Sequence, residues 1–183
     1  MNAFDLQPYL AGDLLELRPL RADDWEALFA AASDPKIWEL HPVPQRYQEN
    51  VFREYFREAL ESRGALVAVD RKTRKIVGSS RYCWHEAKGE LEIGWTFLDR
   101  AHWGGAYNGE MKRLMLAHAF TFAERVIFRV GATNLRSRRA VEKIGAVLTQ
   151  RRETMTLHGK SIEHVVYQIT SSTASNASIR TSA

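Results

Sequence analysis

The chain has 183 residues, 45% of them hydrophobic and 26% charged, with a net charge of +4 at neutral pH; that balance suits one globular domain and excludes a disordered or fibrous chain. No apolar run approaches the roughly 18 residues a membrane helix needs, the start MNAFDLQPYL lacks the basic flank of a secretory signal, and the single cysteine, Cys83, leaves neither a disulfide framework nor a CxxC metal knuckle. The expectation is a cytoplasmic protein without a metal, and since the basic residues are scattered apart from Arg136, Arg138 and Arg139, a small phosphorylated ligand accounts for the charge more simply than nucleic acid does.

In chain order, LLELRPL (14–20) reads as a strand. RADDWEALFAAASDP reads as a helix, capped by Asp23 or Asp24, with Trp25, Leu28 and Phe29 at helical spacing and Pro35 as its stop. The proline-bounded loop DPKIWELHPVP carries Trp38 and His41. A second helix over 48–62 turns Val51, Tyr55, Phe56 and Leu60 to one side. The period then changes: ALVAVD, the turn RKTR and KIVGSSRYCW form a hairpin, and after EAKG comes the strand ELEIGWTFL. A helix over about 107–124 repeats Met111, Leu114, Met115, His118 and Phe122 on one face. RVIFRVGAT is an apolar strand, NLRSRRAVEKIGA a helix between the cap Asn134 and Gly145, and VLTQRRETMTLHG with SIEHVVYQI a last hairpin around His158, Gly159 and Lys160. The order β-α-α-β-β-β-α-β-α-β-β predicts an α/β fold with a mixed sheet flanked by helices, in one domain over 1–170. The polar stretch 171–183 is expected to be a disordered tail.

RAHWGGAYNGEMKRLM (100–115) joins the strand ELEIGWTFL to the following helix. Two readings are open. It can be a plain strand-to-helix turn. It can also be an anion cradle, because glycines leave backbone N–H groups accessible at a helix N-terminus, where the dipole favours negative charge. No Gly-Lys-Ser/Thr follows, so it is not a Walker loop, and its GGxxxG spacing is not the dinucleotide fingerprint GxGxxG.

Four segments together resemble the GNAT N-acetyltransferases, and within them the ribosomal-protein N-terminal acetyltransferase branch (RimJ/RimL-like). They are LRPLRADDWEALFAAASDPKIWELHP, KIVGSSRY, LEIGWTFLDRAHWGGAYNGE and NLRSRRAVEKIGA, and the likeness spans about 14–170. Three departures stand out. Ala106 replaces the second loop glycine, Gly105 stands where the family often has a basic residue, and Val141 occupies the position of the tyrosine that many relatives use as leaving-group acid. Ser137 is the substitute in this branch.

The resemblance implies the GNAT acyl-CoA N-acyltransferase fold and acetyl transfer from acetyl-CoA to a primary amine. The amine would be a protein N-terminus or a small molecule, attacking directly in a ternary complex. It implies that acetyl-CoA enters between strands splayed near Gly94, its pantetheine along Thr96, Phe97 and Leu98. The pyrophosphate would lie on the amides of Gly104, Gly105, Ala106, Tyr107, Asn108 and Gly109, with Asn134 on the pantetheine. Arg138 and Lys143 are candidates for the adenosine phosphates, though both also read as a solvated helix face. Glu92 is the candidate general base and Ser137 the candidate proton donor to the thiolate; the alternative for Glu92 is a solvated or salt-bridged carboxylate. Trp38, His41, Tyr82 and Trp84 are expected at the acceptor end. An acetyl-CoA-binding module without turnover, or a nucleic-acid adaptor using the arginines, are the alternatives, and a homodimer is compatible with the branch.

Overall fold

Alternation along a strand sends neighbouring side chains to opposite faces. In residues 90–98 this puts Leu91 and Ile93 on one side and Glu92 on the other, and the same division runs through the whole sheet. The computed structural model describes residues 4–157 and 159–172. Its elements are β1 (Leu10–Ala11), β2 (Leu15–Pro19), α1 (Trp25–Ala32), α2 (Glu49–Glu61), β3 (Ala65–Asp70), β4 (Ile76–His85), β5 (Glu90–Leu98), α3 (Ala106–Ala119), β6 (Arg125–Gly131), α4 (Leu135–Lys143), β7 (Val147–Leu157) and β8 (Lys160–Thr170). They form the expected mixed α/β architecture, with the short β1 added at the front. The sheet order is β1-β2-β3-β4-β5-β6-β8-β7, antiparallel except for the β5–β6 pair. His158 and the tail beyond 172 lie outside the described residues.

Each face has its own core. On one, Leu15, Leu17, Leu66, Leu91, Ile93, Phe128 and Tyr167 pack with Met111 and Met115 of α3 and Val141 of α4. On the other, Val67 and Phe97 pack with Leu28 of α1, Phe52 and Tyr55 of α2, and Trp38. Burial of each such large side chain contributes roughly 1.5–3 kcal/mol.

Glu110, on the first half of α3, ties that helix to the sheet edge. Its carboxylate accepts the backbone N–H groups of Asp13, Leu14 and Leu15 at 2.8, 2.8 and 2.7 Å. A Cβ on Gly12 would stand 2.5 Å from that carboxyl carbon, so any side chain there would push the carboxylate off its backbone partners.

Two local expectations change. Asp24 precedes α1, but its carboxylate turns back to Arg18 (2.6 and 2.8 Å) and to the backbone N–H of Arg21 instead of capping the helix. The third helix stops at Ala119, short of 124, where the hydroxyl of Thr121 donates to the His118 carbonyl at 2.7 Å and competes with the helical ladder. At α4 the expected ends are found: Asn134 accepts the N–H of Ser137 at 3.1 Å, and Gly145 leaves the helix at φ 90°.

Candidate active site

The functional geometry starts from an irregular strand. Between β4 and β5 the register shifts so that Ser79 faces Phe97 but Arg81 faces Gly94. The extra residue forms a bulge with Trp95 at φ 51°, a left-handed backbone costly for a tryptophan. The Tyr55 hydroxyl of α2 donates to the Trp95 carbonyl at 3.0 Å and helps hold it. Bulges bend the strand that carries them. Accordingly β5 pairs with β6 only at Leu91–Val126 and Glu92–Ile127, and no ladder pair joins 94–98 to β6 among the described residues. The two parallel strands part at Gly94, and Thr96, Phe97 and Leu98 line the opening. Their side chains are engaged elsewhere: Thr96 with Ser80, Phe97 in the α1/α2 core and Leu98 in the α3/α4 core. The Leu98 carbonyl accepts the Trp103 indole N–H at 2.9 Å.

Past this opening the chain turns through Trp103 and Gly104 (φ 69°) into α3, whose first turn has no side-chain cap. Gly104, Gly105, Ala106 and Gly109 are exposed, and Tyr107 and Asn108 half-buried. A Cβ on Gly109 would meet nothing within 4 Å, and one on Gly105 only the Trp103 carbonyl at 3.9 Å. An uncapped helix N-terminus with open space above its amides can receive an anion. The loop is pinned from below, because Tyr107 donates to Asp70 at 3.0 Å and its ring lies edge-on to His102. Asp70 also accepts the N–H groups of Thr73 and Lys72, and these bonds, that of Thr73 foremost, hold its pKa at about 2.

Across the opening stands the start of α4. Asn134 is buried and its side-chain oxygen is committed to the helix cap. Ser137 is half-buried on the first turn. Arg138 is turned inward, donating to the Tyr167 hydroxyl at 3.0 Å and the Ala132 carbonyl at 3.1 Å. Lys143 is exposed at the other end of α4, roughly 12 Å along the axis from its start. Arg138 is thus held by neighbours of α4, and Lys143 stands at the far end of the helix. Arg136 of α4 lies against Trp103, with its guanidinium 4.2 Å from the ring centre and 3.5 Å from the Glu39 carboxylate. Its Nη2 donates to the Ile37 carbonyl at 2.6 Å.

Glu92 lies on the α1/α2 face, beside the point where the strands part. It is buried, and its Oε2 accepts from Arg129 of β6 and from His85 Nε2 at 2.6 Å. Its Oε1 leans toward Gly94, 3.2 Å from where a Cβ there would be. Arg129 continues the network to Glu153, which Arg151 also holds. Burial works to raise the Glu153 pKa, yet these hydrogen bonds outweigh it and hold the group at about 2. Glu92 is thus an ion-paired carboxylate with one oxygen directed at the opening.

The four aromatic residues expected at the acceptor end divide between the faces. Trp38 and His41 lie on the Glu92 side, their rings 5.4 Å apart. Tyr82 pairs with Ile93 and Trp84 with Leu91, so both share the opposite face. Tyr82 donates to the Met115 carbonyl at 2.6 Å, and Trp84 meets Phe122 edge-on. Tyr82 belongs to the packing of α3 and Trp84 lies against the segment that follows that helix, so the register corrects their expected place. Cys83 faces Glu92 across the strands and is half-buried. Burial first, then the Glu92 charge, raises its thiol pKa, as suits a structural cysteine.

Three further groups converge here that the sequence did not single out. Arg81 lies opposite Gly94, Arg46 sits over Trp38 and Tyr55, and Lys112 of α3 closes the opening from the other face. Lys112 Nζ donates to Thr96 of β5 and to Ser80 Oγ at 3.3 Å, and lies 5.6 Å from the ring centre of Phe128 on β6. It touches both parted strands and pairs with no carboxylate among the described residues. Burial alone brings its pKa down to about 7.

A bulged central strand, a gap on one side of it and the uncapped start of a helix beyond therefore lie in line. A model of the acetyltransferase (GNAT) domain matches residues 15–147, and the chain belongs to the GNAT acetyltransferase family; it is an acyltransferase. Among solved structures it is similar to a GCN5-related N-acetyltransferase from Brucella melitensis, at 19% identity over 94% of this chain and 85% of that one, TM-score 0.78. A GNAT-family acetyltransferase from Bacillus anthracis matches at 19% identity over 89% of this chain and 98% of that one, TM-score 0.73. RimJ from Mycobacterium smegmatis, solved with CoA-disulfide, matches at 18% identity over 92% of this chain and 89% of that one, TM-score 0.64. No curated protein matches the sequence significantly. Among the described residues no helix is long and apolar enough to cross a membrane.

Proposed function

We propose that this chain transfers an acetyl group from acetyl-CoA to a primary amine, as a RimJ/RimL-like member of its family. The observation that carries the reading is the parting of β5 and β6 at Gly94 in line with the uncapped, sterically open start of α3. The opening offers the β5 edge at Thr96, Phe97 and Leu98 to the pantetheine, and the amides of 104–109 to the pyrophosphate. Asn134 serves the pantetheine through its amide nitrogen while its oxygen caps α4. Arg136, stacked on Trp103, is better placed for the phosphates than Arg138 or Lys143.

Acetyl-CoA supplies the activated acetyl group; the chain's residues align the amine and move protons. Glu92 takes the proton of the incoming amine through the oxygen not bound to Arg129, and Ser137 returns a proton to the departing thiolate. The amine approaches from the α1/α2 face, past Trp38 and His41. Calorimetric titration with acetyl-CoA, with dephospho-CoA and ATP as controls, tests the reading. Micromolar binding of acetyl-CoA that survives loss of the 3′-phosphate supports it. No binding up to millimolar concentrations rejects it.

A further inference from the structure

The acceptor side of Gly94 holds more positive charge than the fold can use. Arg81 is only 5% exposed, and its Nε and Nη2 are buried without a hydrogen-bond partner. Its guanidinium lies 4.7 Å from the Trp95 ring centre and 5.8 Å from that of Tyr55. Arg46 lies over the same Tyr55 ring at 4.9 Å, and burial first of all lowers its pKa. Among the described residues neither arginine forms an ion pair with a carboxylate. Glu92 is engaged by Arg129 and His85, and Glu58 of α2 acts on Arg46 through its charge without forming an ion pair.

His41 sharpens the point. Its Nδ1 accepts the backbone N–H of Val43 at 2.9 Å, so the neutral ring carries its proton on Nε2. That Nε2–H stands 3.1 Å from Arg46 Nη1, which is also a donor. Burial, followed by the Arg46 charge, pushes the ring's pKa down to about 3, so the ring is neutral at physiological pH. The place thus gathers two guanidiniums and an imidazole N–H, all donors, around aromatic walls. Unpaired buried charge is costly, and a preorganised fork of donors is what binds a carboxylate in two-point fashion.

We infer that the acceptor amine carries a carboxylate, and that Arg81 and Arg46 hold that carboxylate while the amine meets Glu92. The charge can belong to a free amino acid or to an acidic side chain next to a peptide's N-terminal amine; the shared chemistry is an amine with a carboxylate a few bonds away. The inference takes the identity of the reacting amine from the acetyl-transfer reading, but the anion site is tested apart from it.

The first measurement is the thermal unfolding of the full chain with succinate or with succinamide, its uncharged counterpart. Wild type should gain several degrees from succinate and not from succinamide, since a ligand that binds only the folded state raises Tm. Arg81→Met, which keeps the bulk and removes the charge, and Arg46→Gln should each lose that gain. The second measurement is thiol release from acetyl-CoA with matched acceptors: phenylalanine against phenylalaninamide, and C-terminally amidated peptides with glutamate against glutamine at the second position. The charged member of at least one pair should be used at least about tenfold better in kcat/KM, and which pair shows it separates free amino acid from peptide. Equal stabilisation by succinate and succinamide, or an unchanged response in Arg81→Met and Arg46→Gln, overturns the inference even if acetyl-CoA binds. Failure of acetyl-CoA to bind, with succinate still stabilising wild type alone, upholds the anion site and rejects the acetyl-transfer reading.

Discussion

Lys112 is buried against the sheet with two hydroxyls and an aromatic ring for company. Burial disfavours the ammonium form, and the folded-state pKa falls from 10.5 to about 7. Between those values the unfolded chain holds a proton that the folded chain has released, so stability rises with pH across that window. The cost of the buried charge is fully present below pH 7 and gone above the unfolded value. At about 1.4 kcal/mol per pH unit it amounts to at most about 5 kcal/mol. Lys112→Met keeps the length and apolar stem without the titrating group. Ser80 and Thr96 still bond to one another at 2.8 Å, so neither hydroxyl is orphaned by the change. The variant should therefore be more stable than wild type at pH 6, by on the order of 10 °C in Tm for a chain of this size. The advantage should shrink steadily toward pH 10. Thermal unfolding of both proteins at intervals from pH 6 to 10, without acetyl-CoA, reads this directly. All other titrating groups are common to the two proteins and cancel in the difference. A difference in Tm that stays constant over that range would refute the reasoning, because it would mean the amine keeps its proton in the folded state.

Three other outcomes are expected. Glu92→Gln should lower kcat tenfold or more while leaving acetyl-CoA affinity within about twofold, because the carboxylate serves the amine and not the cofactor; steady-state kinetics beside calorimetry separates the two, and an unchanged kcat removes Glu92 from the chemistry. Gly105→Glu should weaken acetyl-CoA binding at least about tenfold with little change in Tm, since the new side chain enters open space but brings a negative charge to an anion cradle; undiminished binding in calorimetry would move the pyrophosphate elsewhere. Glu110→Ala should cost about 3 kcal/mol or more in denaturant unfolding, because three backbone N–H groups lose their acceptor, and a loss below about 1 kcal/mol would show that water replaces it.

The element order was legible because the period changes cleanly from helix to strand and back, and because Asn134 and Gly145 mark the ends of α4 by their own chemistry. The strand Glu90–Leu98 coincides with its sequence segment for the same reason. What periodicity hides is the phase between elements. Tyr82 and Trp84 looked like neighbours of Trp38, yet only the β4–β5 register decides which face they take. That register places them with Ile93 and Leu91. The Gly94–Trp95 bulge is equally silent in sequence, since nothing about a tryptophan announces φ 51°.

Charged residues at buried positions are the other blind spot, and they matter most here. The third helix buries Met111, Lys112, Met115, Leu116 and Ala119, a stripe rotated from the expected Met111, Leu114, Met115, His118 and Phe122. The rotation arises because a reading by hydrophobicity passes over Lys112 and chooses His118 and Phe122 in its place. The same rule hides Arg81, which falls among buried strand residues of β4 yet counts as polar, and Arg46, which lies in a proline-rich loop. A fold has reason to keep out an unpaired cation unless something else needs it there. Arg81 and Lys112 stand on opposite faces of one gap, the first a buried guanidinium with no carboxylate partner among the described residues and the second an amine whose pKa burial brings down to about 7. The residues that break the burial pattern are therefore the ones on which the inferred acceptor site rests, once the sheet register says where they are.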